Sequence, residues 1–241
     1  MTLPTFTKEA PPSLFEDLFE IFYAPRAVFE RRRETPAFGL ALLVLVLLLV
    51  GLTFAFQGLM EPVFELEFKR GMARAMAKNP QITEANVQQS LAFFKKFLIF
   101  GVAIYAIFTP LILGLALWGV NKLLEGTAQL GQAIMVATYA QLPRVLESVL
   151  NAVQMLVLPD EAITGRYSTS LGVGRFLDPD HTSLFLMGAL GRIDLFTLWV
   201  TVLLALGIGV MGRLPGSRVL IAGVLMWFVG LVPVLWGVIN S

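Results

Sequence analysis

The chain has 241 residues, of which 56% are hydrophobic and 15% charged, and its mean hydropathy is +0.76. An average soluble domain is about 45–50% apolar and about 25% charged, so this composition argues against a soluble globular domain and against disorder. The absence of Cys excludes disulfides, thiol nucleophiles and Cys-ligated metals, and a formal net charge of +1 creates no field that would attract nucleic acid.

The first 36 residues are predicted to form a cytoplasmic N-terminal segment that contains a short amphipathic helix over residues 13–23. Ser13 and Glu16 have the spacing of a capping box. One face of this helix is predicted to be apolar and the other acidic, with Leu14, Phe15, Leu18, Phe19 and Phe22 opposite Glu16, Asp17 and Glu20. Two interpretations stay open: the helix lies in the membrane interface or docks a partner, or it packs on the helix ends of its own chain.

Long runs without a charged residue predict an all-α fold, a polytopic membrane helix bundle of five transmembrane helices within residues 37–240. A helix rises about 1.5 Å per residue, so about 20 apolar residues cross a hydrocarbon core of roughly 30 Å. The predicted spans are 37–59, 97–120, 132–158, 195–212 and 219–240.

The two long connections differ in composition. Loop 61–96 is predicted to be an ordered helical cap that is interrupted at Asn79-Pro80 and begins again after Thr83, and packing on the bundle is favoured over binding a partner. Loop 159–193 is rich in turn residues. Lys and Arg are divided almost evenly between the two sides, but the Arg31–Arg33 cluster beside the first span favours an N-terminus in the cytoplasm.

The third predicted span contains an unusual set of polar side chains. A spacing of mostly three or four residues places them on one stripe of a helix, and Asp194 at the start of the fourth span is a candidate partner; the stripe residues are Gln141, Arg144, Glu147, Asn151 and Gln154. Pro143 is expected to kink this helix. Three interpretations compete: a polar cavity or binding site, a structural polar seam satisfied by other helices, and a kinked or re-entrant segment.

Small residues in the last two spans are interpreted as helix-packing positions. Gly223, Gly230 and Gly237 recur every seven residues and therefore share one helix face, which predicts a seam with this chain or another one. The GxGxxG pattern at residues 207–212 ends an apolar helix, so it is interpreted as close packing rather than dinucleotide binding. The sequence predicts no catalytic residue, no cofactor and no metal site.

Three parts of the chain together resemble the Yip1 family of integral membrane proteins. Residues 18–29, LFEIFYAPRAVF, look like that family's N-terminal block, and residues 191–199, GRIDLFTLW, are similar to the start of its fourth span. Tyr139, Pro143 and Asn151 fit the kinked polar segment of the family. The resemblance covers residues 13–240 and is strongest to prokaryotic-type members.

This resemblance implies a five-span protein with a cytoplasmic N-terminus and no intrinsic catalysis. Eukaryotic members bind Rab GTPases in the Golgi and ER, and some prokaryotic members accompany ABC-type efflux systems. We therefore expect a scaffold or accessory subunit in the plasma (inner) membrane, or in the Golgi or ER if the source is eukaryotic. Its expected partners are the lipid bilayer and a membrane protein or a second copy of the chain. The alternatives are a small transporter or channel that uses the polar stripe, and an intramembrane enzyme.

Overall fold

The computed structural model describes residues 14–240, and these residues form ten α-helices without a strand. The prediction of an all-α fold is therefore confirmed. The helices are α1 Leu14–Glu20, α2 Pro25–Arg32, α3 Gly39–Lys78, α4 Glu84–Leu123, α5 Leu130–Ala140, α6 Pro143–Val157, α7 Leu184–Leu190, α8 Leu195–Gly212, α9 Gly216–Val229 and α10 Val232–Asn240. Two short 3-10 turns, Asp160–Ala162 and Val173–Phe176, lie in the connection between α6 and α7.

Within the described residues, four helical segments are long and apolar enough to cross a membrane. They are α3, α4, α8 and the stretch Gly216–Ile239, which comprises α9 and most of α10. They correspond to the first, second, fourth and fifth predicted spans. The third predicted span is not one continuous helix, because α5 ends at Ala140 and α6 begins at Pro143.

Helices α3 and α4 extend far beyond the predicted spans. Each has 40 residues, which corresponds to a length of about 60 Å, twice the hydrocarbon thickness of a bilayer. Residues 61–96 therefore continue the two membrane helices as an antiparallel pair. The turn between them is closed by Thr83, whose Oγ1 accepts a hydrogen bond from the Asn86 N–H while the Asn86 Oδ1 accepts one from the Thr83 N–H.

The N-terminal part of the structure is a hairpin of α1 and α2 that packs along α8. The Phe22 ring lies edge-on to Trp199, with 5.8 Å between the ring centroids, and Phe29 is fully buried near Gly207. Asp17 is also fully buried, although the sequence placed it on the solvent side of the amphipathic helix. The predicted Ser13 cap lies outside the described residues.

Charged side chains hold this hairpin together. The Asp17 carboxylate accepts hydrogen bonds from Arg31 and from Arg32 Nε, and Arg31 also donates to Glu20. The bond with Glu20, followed by those with Asp17, raises the pKa of Arg31. Two arginines that the sequence presents as free positive charges beside the first span are therefore neutralised within the folded hairpin.

The most deeply buried helix is α5, which packs between α4 and α8. Residues Met135 to Ala140 of α5 are all buried. Glycines bring the backbones close together at these contacts: a Cβ at Gly207 would lie 2.4 Å from Val136 Cγ1, and one at Gly114 would lie 2.6 Å from the Ile134 Cα. The GxGxxG pattern thus lies in a packed part of α8, with Gly207 in direct contact with α5.

The bundle has two ends that are defined by contacts between connections. At one of them, the connection end, Gln132 Nε2 donates to the Arg33 carbonyl oxygen and the Thr127 N–H donates to the Gly212 carbonyl oxygen. At the other, the loop end, the segment 159–194 covers the bundle, and Arg70 of α3 forms a two-point ion pair with Asp180.

Candidate functional site

The interruption between α5 and α6 lies where the polar stripe begins. Pro143 has no N–H, so the Tyr139 carbonyl loses its normal helical donor and instead accepts from the Leu142 N–H at 3.1 Å. Pro143 occupies the first position of α6, where its fixed φ angle suits a helix start. The kink predicted from Pro143 is therefore an interruption of two residues between α5 and α6, and the polar residues follow it on α6.

A cavity of about 600 Å³ with both polar and apolar lining lies between α3, α4 and α6 on the side of the loop end. Five of the six residues predicted for the intramembrane polar set line it: Gln141, Arg144, Glu147, Asn151 and Asp194. The sixth, Gln154, does not line the cavity, and its Nε2 donates to the Thr169 carbonyl oxygen at 2.6 Å. We call this space the stripe cavity.

An ion pair lies in the wall of the stripe cavity. Arg144 Nη1 donates to Glu147 Oε2 at 2.6 Å, and Arg144 Nη2 donates to Thr197 Oγ1 of α8 at 3.2 Å. The side chains of Arg144 and Glu147 are 27% and 23% exposed. The pairing of these two residues follows from their spacing of three, whereas the contact with Thr197 depends on how α6 packs against α8.

Asp194 hydrogen-bonds to the N-terminus of α8 and not to the Arg144–Glu147 ion pair. Its Oδ1 accepts hydrogen bonds from the N–H groups of Phe196 and Thr197, at 2.9 and 3.2 Å, and so caps the N-terminus of α8. Its Oδ2 accepts a hydrogen bond from the Ser170 hydroxyl at 2.8 Å. The expected direct contact between Asp194 and the charges of the stripe is therefore replaced by an indirect one, through Thr197.

The opposite wall of the stripe cavity comes from α3 and α4. Thr53, Tyr105 and Thr109 supply hydroxyl groups, and Pro110 leaves the Ala106 carbonyl without a helical donor. At the loop end, Arg166 and Tyr167 complete the lining, and because Arg166 is exposed, the cavity reaches the surface of the protein there. No local sequence pattern marks these residues, since each belongs to an otherwise ordinary apolar helix or loop.

Arg192 is a half-buried cation at a position that no local sequence pattern marks. Its Nη2 donates to the Trp227 carbonyl oxygen at 3.1 Å, its guanidinium lies 5.7 Å from the centroid of the Trp227 ring, and its buried Nε has no partner in the described part of the chain. Burial, followed by the proximity of Arg144, lowers the pKa of Arg192. The adjacent break between α9 and α10 exposes the carbonyl that Arg192 binds.

The three glycines predicted to form one packing seam have different neighbours. A Cβ at Gly223 would lie 3.2 Å from the Ala205 Cβ of α8, whereas one at Gly230 would collide with the guanidinium of Arg192. A Cβ at Gly237 would meet no atom within 4 Å. The interruption of the helix at Gly230 changes the phase of the heptad spacing, so Gly237 is not aligned with Gly223.

The fold and cavity define the class of this protein as a polytopic α-helical membrane protein. Among residues 14–240, no group of three or more His, Asp or Glu side chains could hold a metal ion. The family model of the Yip1 domain matches residues 19–237, so the chain belongs to the Yip1 family. Comparisons with curated proteins and with solved structures returned no match.

We predict that Arg144→Leu and Glu147→Gln each lower the free energy of unfolding by about 1–2 kcal/mol, because each leaves a partly buried charge or polar group without its partner. Thermal unfolding in detergent measures this effect. Ser148→Ala is the control, since Ser148 lines the same cavity but its hydroxyl donates only to the Arg144 carbonyl oxygen of its own helix. Unchanged stability in both charge variants would show that the pair does not hold the bundle.

Proposed function

We propose that this chain is a non-enzymatic scaffold or accessory protein of a membrane complex. The observation that carries the proposal is the pair of helices formed by residues 61–96, which we call the projecting hairpin. It extends α3 and α4 beyond the length that a bilayer requires and offers a protein partner an ordered surface outside the hydrocarbon. Family resemblance suggests an ABC-type transporter in the plasma membrane as the complex.

The base of the projecting hairpin is held by charges. Lys95 of α4 forms ion pairs with Glu61 and Glu65 of α3, and these are the first charged residues that follow the apolar half of α3. Strongly hydrated groups of both signs at one level favour the water-facing boundary of the membrane for this position. Residues of the hairpin beyond this level are therefore available to a soluble domain or to the extramembrane part of a partner.

The projecting hairpin buries little of its own apolar surface. Val63, Val87 and Leu91 are its buried hydrophobic residues, whereas Phe93 is 63% exposed. The rings of Phe93 and Phe97 lie 4.4 Å apart between centroids, so they form one exposed aromatic patch near the base. Exposed aromatic side chains of this kind are typical of the energetic centres of protein interfaces.

We predict that Phe93→Ser reduces the yield of a stoichiometric co-purifying membrane protein at least tenfold, because aromatic residues at an interface centre contribute much of its binding free energy. The measurement is quantitative mass spectrometry after mild detergent extraction of the full-length chain. Gln89→Ala is the matched control: Gln89 is exposed on the same helix, one turn away. Equal recovery of the same partner with both variants would rule out this patch as the binding surface.

We also propose that α5 and α6 together form a fifth membrane crossing and that the N-terminus is cytoplasmic. Gln132, at the start of α5, contacts the connection end, and Gln154, near the end of α6, contacts the loop end. Arg144, between them, reaches Thr197 of α8. These contacts support a path in which the two short helices together follow the length of α8, which is itself a candidate span.

The absence of Cys from the chain allows single cysteines to report this topology. We predict that Glu161→Cys reacts with a membrane-impermeant maleimide in intact cells, and that Lys122→Cys reacts only after permeabilisation. Both positions are exposed. In the proposed topology α5 and α6 form one crossing between them, so the two cysteines lie on opposite sides of the membrane. Labelling of both from the same side would contradict the fifth crossing, and exchanged sides would contradict only the orientation.

A second candidate function, transport or binding of a polar solute, is favoured by the stripe cavity. Its volume of about 600 Å³ lies in the range of small-molecule sites, and its lining combines an ion pair with hydroxyl and amide groups. Asn151 lines this space, and no hydrogen bond of its side chain with another described residue is found. A solute would enter at the loop end, where Arg166 and Tyr167 form the rim.

We predict that Asn151→Cys reacts with a charged, membrane-impermeant thiosulfonate, because a thiol in a water-filled cavity ionises and one in lipid does not. Val153→Cys is the control, since Val153 lies on the same helix but on its exposed apolar face. Reaction rates in proteoliposomes measure the difference. Protection of Asn151→Cys equal to that of Val153→Cys would show that the stripe cavity is closed to water and would exclude it as a transport path.

A further inference from the structure

A second cavity, of about 360 Å³, lies at the loop end between α3, the segment 159–194 and α10. We call it the arginine cavity, because its polar wall is formed mainly by Arg70, Arg74, Arg166 and Arg175, with Glu67 as the acidic residue among the lining side chains. It shares Arg166 and Tyr167 with the rim of the stripe cavity, but it lies outside the apolar half of α3 and does not contain the Arg144–Glu147 pair.

Two of these arginines build the frame of the cavity. Arg70 Nε and Nη2 donate to the two carboxylate oxygens of Asp180, each at 2.9 Å, and this two-point contact joins α3 to the loop segment. Arg166 lies over the Tyr167 ring at 4.7 Å, and its backbone N–H donates to Glu67 Oε1 at 3.1 Å. A two-point contact of a planar guanidinium fixes both the distance and the relative orientation of Arg70 and Asp180. The position of the loop segment against α3 is therefore set without a ligand.

The other two arginines have no such contacts. The side chains of Arg74 and Arg175 make no hydrogen bond or ion pair with another residue in the part of the chain that the structure describes. Arg74 lies four residues after Arg70 on α3 and therefore shares its helix face. Since Asp180 already neutralises Arg70, the charges of Arg74 and Arg175 remain available to an anion.

The opposite wall of the arginine cavity is apolar and belongs to α7 of the loop segment and to α10, the end of a candidate membrane span. It is formed by Leu184 and Met187 of α7 and by Pro233, Val234 and Val238 of α10. Trp236, on α10 at the same level, is 70% exposed. Tryptophan is enriched where a membrane meets water, so α10 brings the apolar wall of the cavity to the membrane interface, whereas Arg70 and Arg74 lie beyond Glu61 on α3, on the water side. The cavity therefore offers positive charge towards water and hydrocarbon contact towards the membrane.

We propose that the arginine cavity binds the phosphate group of an anionic phospholipid, with Arg74 and Arg175 as its charged ligands and the wall of α7 and α10 in contact with the acyl chains. Guanidinium groups bind phosphate oxygens through pairs of parallel hydrogen bonds. Inorganic phosphate would satisfy the arginines alone, whereas a phospholipid also covers the apolar wall. The lipid is therefore the ligand that matches both sides of the cavity.

The test is native mass spectrometry of the full-length chain in neutral detergent, titrated with phosphatidylglycerol, phosphatidylcholine or inorganic phosphate. We expect Arg74→Gln and Arg175→Gln each to weaken retention of phosphatidylglycerol about fivefold, the gain expected from one basic residue near an anionic headgroup. Lys78→Gln is the matched control, because Lys78 lies one turn beyond Arg74 on α3, is exposed and does not line the cavity. We expect it to change retention less than twofold.

Two results would overturn the proposal. Equal losses in Lys78→Gln and in the cavity variants, with unchanged unfolding temperatures, would show diffuse attraction instead of a site. Displacement of phosphatidylglycerol by millimolar inorganic phosphate, or equal retention of phosphatidylcholine, would show that the cavity does not recognise an anionic lipid as a whole. Retention of phosphatidylglycerol in the unaltered chain, lost in the two arginine variants and not displaced by inorganic phosphate, supports it.

Discussion

The architecture depends on the rule that a polar group inside a membrane must find its partner within the protein. In the middle of the third apolar segment, Pro143 leaves the Tyr139 carbonyl without its normal helical donor, because proline has no N–H. Leu142 supplies a substitute donor, and the chain resumes as α6 with its polar face towards α3 and α8. The stripe cavity is a consequence of this break.

The same rule explains a second interruption, between α9 and α10. Pro233 and the turn at Gly230 free carbonyl groups of α9, and Arg192 donates to one of them, that of Trp227. The absence of a side chain at Gly230 leaves the space that the guanidinium occupies. Two broken helices thus lie on either side of α8, each with an arginine beside its break, and both arginines act within the chain as hydrogen-bond donors to neighbouring helices.

Charge has three different uses along this molecule. In the α1–α2 hairpin, Arg31 and Arg32 form ion pairs with the buried Asp17. Their positive charges can therefore orient the chain in the membrane only before the hairpin has folded. In the stripe cavity, Arg144 and Glu147 neutralise each other. The arginine cavity keeps uncompensated charge at the loop end, which is why a ligand is proposed for that cavity and a mainly structural role for the Arg144–Glu147 pair.

The sequence by itself determined the membrane class, four of the spans, the kink at Pro143 and the pairing of Arg144 with Glu147, because hydropathy runs and spacings of three or four residues are local properties. Only the tertiary structure decided that Asp17 is buried, that Asp194 caps α8 and that Arg192 reaches Trp227. Each of these contacts depends on how separate helices pack against one another. The chain has many apolar helix faces that could pack in several ways, and no local sequence pattern selects among them.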